Sequence, residues 1–141
     1  MKSIEQVTIQ SVSGFCSVED AYNDILTITP YGAHYECTPY DEDSEEVIRW
    51  SYQSDSQRFE MYFQAAADIV LYLCKADPAE LLVLDAGTLT LSVYYSDSTR
   101  IERKIDYPIP DLNILPGTLR LFIPPIESDP RCVDFLEDLC N

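Results

Sequence analysis

The chain has one histidine, His34, and it stands three residues before Cys37, a spacing that superficially resembles a metal pair. Both positions fall in a stretch that reads as a strand, where i and i+3 point to opposite faces, so the two side chains cannot grip one ion. With no second imidazole, a His-based nucleophilic triad is confined to one that His34 serves alone. Glu102-Arg103-Lys104 matches the ExK element of metal-dependent nucleases, with Asp85 or Asp97 upstream as a second ligand. Such chemistry needs carboxylates to hold magnesium and a lysine beside the attacking water. Arg100, Glu102, Lys104 and Asp106 also share one face of a strand, however, and a solvated face of alternating charge accounts for all four.

The run Asp41, Glu42, Asp43, Ser44, Glu45, Glu46 sets five carboxylates in six positions. It lacks the regular spacing of acids and the distal bidentate Glu of a calcium loop. Mutual repulsion makes it a solvated loop, open to weak ion binding or to recognition by a basic partner. With 25 acidic residues, no carboxylate pair singles itself out for acid/base work. Neither GxGxxG nor GxxxxGK[ST] occurs, so no nucleotide cofactor is expected, and no other cofactor or metal either.

The ten tyrosines pair an apolar body with a polar tip, a combination favoured at protein interfaces. Tyr35, Tyr40 and one of Tyr94 and Tyr95 are expected to be exposed, the last two because neighbours on a strand face opposite ways.

These side chains need elements to hold them. Alternation over residues 3–12 predicts a strand, and 24–29 and 33–38 predict a hairpin about Pro30-Tyr31-Gly32. Another strand is expected at 47–52, with Ile48, Trp50 and Tyr52 on one face. Ser54-Asp55-Ser56 supplies capping oxygens for a helix over 57–75, whose Phe59, Phe63, Ala66, Val70 and Leu73 follow helical spacing. That helix is apolar beyond one stripe, which predicts that it lies deep against a sheet. A second hairpin spans 88–95 and 100–107. Six prolines between Pro108 and Pro130 cut the tail into short pieces, with helices expected in 112–123 and 131–139. The sum is a single α+β domain over 1–141: a mainly antiparallel sheet built from hairpins, one long helix on one face, and short C-terminal helices.

A formal charge of −16 repels phosphate backbones and anionic headgroups, so direct nucleic-acid and membrane binding are disfavoured, while basic protein surfaces are attracted. No apolar run approaches a membrane span or an export signal, and five cysteines without a CxxC pair fit free thiols in a reducing cytoplasm.

Arg49-Trp-Ser-Tyr-Gln-Ser-Asp55, Phe59 and Phe63 on a helix, Asp85-Ala-Gly87, Leu91-Ser-Val-Tyr-Tyr95 and Ile123-Pro-Pro-Ile-Glu127 together resemble a family of small uncharacterised bacterial proteins. The resemblance implies a compact α+β domain and transfers no functional residues.

The expectation is therefore a non-enzymatic protein whose Asp41, Glu42, Asp43, Glu45, Glu46, Asp134, Glu137 and Asp138, with Tyr35 and Tyr40, meet a basic partner. One form is an inhibitor mimicking nucleic-acid charge, of the anti-CRISPR or toxin-immunity kind. The alternatives are a carboxylate/metal-dependent hydrolase using Asp85, Asp97, Glu102 and Lys104, and a housekeeping or structural domain acidic only for solubility.

Overall fold

Six strands and three helices follow one another in the computed structural model of the chain, which describes residues 3–13, 22–39, 47–75, 87–107 and 114–138. The strands are β1 (Ile4–Ser13), β2 (Tyr22–Thr29), β3 (Gly32–Pro39), β4 (Ile48–Gln53), β5 (Gly87–Tyr95) and β6 (Arg100–Tyr107). The helices are α1 (Gln57–Lys75), α2 (Ile114–Phe122) and α3 (Pro130–Asp138), with a 3₁₀ turn at Pro124–Ile126. All strand pairs are antiparallel, in the order β4-β3-β2-β1-β5-β6.

Strand alternation divides the residues into two faces. Trp50, Tyr35, Leu26, Ile9, Leu91 and Arg103 follow one another across the sheet in register. This face carries the core, with Val7, Ile28, Val93 and Leu89 fully buried beside Ile9, Leu26, Tyr35 and Leu91. The neighbouring row, Ser51, His34, Thr27, Thr8, Ser92 and Glu102, points the other way and contains no apolar side chain.

α1 begins where Ser56 Oγ accepts from the Arg58 amide, and its Phe59, Phe63, Ala66, Ala67, Val70 and Leu73 are buried against the sheet. It is less deeply set than its composition predicts: Met61 and Tyr72 are exposed, because α2 and the sheet together cover only one side of it. Phe122 of α2 packs edge-on against Phe59 and stacks on Tyr62. Pro116 sits in the first turn of α2, where a missing N–H costs no hydrogen bond.

α3 is fastened from several directions. Asp129 Oδ1 accepts from the Arg131 amide as the helix cap, and its Oδ2 accepts from Trp50 Nε1 at 3.0 Å. Pro130 occupies the first helical position, whose fixed φ suits it. The next residue, Arg131, reaches back to the sheet.

Two turns set the hairpins. Pro30 and Tyr31 close β2 to β3, with Thr29 Oγ1 accepting from the Tyr31 amide. Gly32 then runs so close to β4 that a Cβ would overlap the Tyr52 carbonyl oxygen, so only glycine fits. In the β5–β6 turn Ser98 takes a φ of 70° while Asp97 Oδ1 accepts from the Thr99 amide. No helix among the described residues is long and apolar enough to cross a membrane.

Candidate functional site

Two polar constellations stand out, one on each face of the sheet. On the core face, Asp24 of β2 is 2% exposed, and a carboxylate so placed needs a full set of partners. Arg131 supplies a forked pair, Nη2 to Oδ2 at 2.7 Å and Nε to Oδ1 at 3.3 Å, and Tyr35 Oη donates to Oδ1 at 2.5 Å. Burial and then the hydrogen bond to Asp24 push the Tyr35 phenol far above its ordinary range. Burial and then the charge of Asp24 raise the Cys37 thiol to about 11, and the Cys132 thiol, buried nearby, is raised as well. Thiols so raised are poor nucleophiles. The constellation locks α3 onto the sheet, with no open side for a substrate against its carboxylate.

The open face is different. The Ser54 amide donates to the Tyr31 carbonyl at 2.8 Å, and hydrogen-bonded pairs alternate along β3 and β4 from there. His34 and Ser51 therefore form a non-hydrogen-bonded pair, whose side chains stand closer together. His34 Nδ1 lies 2.7 Å from Ser51 Oγ, its Nε2 lies 3.9 Å from Glu36 Oε2, and Arg49 Nη2 lies 3.5 Å from Glu36 Oε1. Beside them, between the β2–β3 turn and the end of β4, is an open depression of about 650 Å³.

Ser51, His34 and Glu36 have the order of a nucleophile, a base and an orienting acid. Acyl transfer also needs N–H donors converging on the developing oxyanion. Ser51 lies on a regular strand, where main-chain N–H groups run in the plane of the sheet and side chains stand perpendicular to it. The main-chain N–H groups of β4 therefore do not converge above Ser51 Oγ. Sequence reasoning missed Ser51 and Glu36 as companions of His34. The β3–β4 register joins Ser51 to His34 and is not set by spacing, because residues 40–46 intervene, whereas Glu36 follows His34 by two on one strand face, a spacing that is present in the sequence.

His34 is exposed and Cys37 buried, on opposite faces as strand geometry requires. Tyr35 corrects an expectation: it has no exposure and is bonded to Asp24, so it cannot meet a partner. It faces inward because the register sets it between Leu26 and Trp50. Of the two later tyrosines, Tyr95 is buried and Tyr94 half-buried beneath the Arg100 guanidinium.

Asp134 and Glu137 are both exposed on the outer side of α3. Glu137 reaches Arg120 at 3.5 Å, and Glu127 binds the same guanidinium at 2.5 Å, which lowers the Glu127 carboxyl below its usual value. Part of this acidic segment is thus neutralised internally. Asp138 ends α3, while Tyr40, Asp41, Glu42, Asp43, Glu45 and Glu46 lie outside the described residues, as does Asp85.

Glu102 pairs with Arg100 at 3.9 Å, Lys104 is exposed opposite Thr90, and Asp97 is engaged in capping its own turn. Among the described residues, no group of three or more His, Cys, Asp or Glu could hold a metal ion. Comparison of the chain with protein-family models, curated proteins and solved structures gives no match.

Proposed function

We propose that this is a non-enzymatic binding domain whose acidic surface docks on a basic protein surface. The observation that carries the reading is the disposition of the arginines. Arg49 and Arg100 pair with Glu36 and Glu102, Arg120 with Glu127 and Glu137, and Arg131 with Asp24. Arg103 donates to the Leu73 and Cys74 carbonyls, and Arg58 lies over the Tyr62 ring. With the described arginines turned to partners within the molecule, Glu5, Asp55, Glu60, Asp68 and Asp134 face solvent, and a formal charge of −16 has little cationic surface to offset it.

Such a field speeds encounter with a basic surface and makes affinity fall with salt. Carboxylates on a rigid sheet-and-helix frame can occupy a groove shaped for phosphates, which is the inhibitor form of the proposal. The test uses a lysine-rich histone-like DNA-binding protein carrying a labelled duplex. The acidic domain should displace the duplex at low salt and lose that ability steeply as salt rises. Changing Asp41, Glu42, Asp43, Glu45 and Glu46 together to Asn or Ser should weaken displacement. Displacement that is absent, insensitive to salt, or unchanged in that variant would sink the proposal.

A further inference from the structure

The depression on the open sheet face sets polar groups into a lining that is otherwise largely apolar. Thr27, His34, Ser51 and Gln53 present hydroxyl, imidazole and amide groups, Asp55 a carboxylate, and Tyr31 an aromatic ring that is 70% exposed at the rim. Hydroxyl and amide side chains both donate and accept, and a neutral imidazole does so through its two nitrogens. Thr27, Gln53 and Asp55 make no side-chain hydrogen bond to another described residue, so their capacity is available to a ligand. The His34–Ser51 contact fixes two further groups before any ligand arrives.

The lining also says what does not fit. Among the described residues no lysine or arginine borders the depression, so a phosphate or carboxylate would enter without a counter-charge from them, against the field of a strongly acidic protein. An apolar ligand would leave the lining hydroxyls and carboxylate without partners. A ligand with several hydroxyls on one edge and an apolar C–H face on the other meets both halves of the site: the edge meets Thr27, Ser51, Gln53 and Asp55, and the face meets the Tyr31 ring.

We propose that the depression between the β2–β3 turn and the end of β4 binds a neutral, polyhydroxylated ligand: a hexose unit, free or terminal on a glycan. Its open shape leaves room for the rest of a glycan to continue into solvent. This inference is independent of the docking proposal, since its ligand carries no charge and its binding should respond little to salt.

The experiment is a titration of the isotope-labelled protein followed by amide chemical shifts. The probes are the methyl glycosides of the common neutral hexoses, N-acetylglucosamine, and their β- and α-linked disaccharides. At least one probe should give saturable shifts confined to residues 27–34 and 51–55. A glycoside that binds as tightly as its disaccharide identifies a single-unit site, and a tighter disaccharide identifies a glycan end. Tyr31→Ala and Gln53→Ala should each weaken binding about tenfold, the loss of one good contact. Lys104→Ala, at the far edge of the same face, should leave affinity unchanged. Unaltered shifts throughout the panel, binding indifferent to both substitutions, or tighter binding of a sugar phosphate or of putrescine would each overturn the inference.

Discussion

The two faces of the sheet come from the same six strands in one register, yet a polar side chain has opposite consequences on each. On the covered face Asp24 is tolerated only because Arg131 and Tyr35 complete its hydrogen bonds. On the open face His34, Glu36, Arg49 and Ser51 interact at distances from 2.7 to 3.9 Å, with water in reach of each. The covered face therefore makes a polar group structural, and the open face leaves it in contact with solvent.

The largest effect is expected at the covered face. Arg131→Ala strands a carboxylate that is 2% exposed and should cost about 3–5 kcal/mol in urea unfolding. The triple change Asp24→Leu, Tyr35→Phe, Arg131→Met removes every group left without a partner and should recover most of that loss. A single variant as stable as wild type would show that the buried pair is not what holds α3.

Next is the close approach of β3 to β4 at Gly32. Gly32→Ala puts a methyl onto the Tyr52 carbonyl and should cost about 1–3 kcal/mol, with amide shifts spreading through β3 and β4.

Alkaline pH probes the covered face alone. The Cys37 thiol ionises near 9.0 when unconstrained and near 11 in the fold, so between those values the unfolded chain holds fewer protons than the native one. Its contribution to stability is complete below pH 9.0 and is lost as pH rises toward 11, and the raised Tyr35 and Cys132 groups act in the same direction. The urea midpoint should fall over that window, and less steeply in Cys37→Ala. A midpoint that stays level would contradict the burial of these groups.

The smallest effect belongs to the open face, where His34→Ala and Ser51→Ala should each change stability by less than about 0.5 kcal/mol. A cost comparable to that of Arg131→Ala would erase the contrast between the faces.

Local signals were enough for elements whose determinants lie close in sequence. α1 runs over 57–75 because Ser56 caps it and Phe59, Phe63, Ala66, Val70 and Leu73 repeat on one side. The hairpins follow from alternation and turn residues, and they settle the α+β class. What the sequence hides is parity and distance. A tyrosine suits either side of a strand, so Tyr35 turns inward only once the register sets it between Leu26 and Trp50. Asp24 and Arg131 are 107 positions apart, and neither has a neighbour that announces the other. Met61 and Tyr72 look like core by composition and are exposed because the cover stops at α2.

The strand order has a consequence in time. β2, β3 and β4 join β1 by nearest-neighbour pairing, while β5 must find β1 after everything from β2 to the end of α1 has been laid down. Closing so long a loop adds little to the equilibrium cost but delays the search. The β1–β5 seam is thus the expected slow step in assembly: conservative trimming of Ile9 or Leu91 should show mainly as slower refolding, and trimming at Val133 of α3 mainly as faster unfolding.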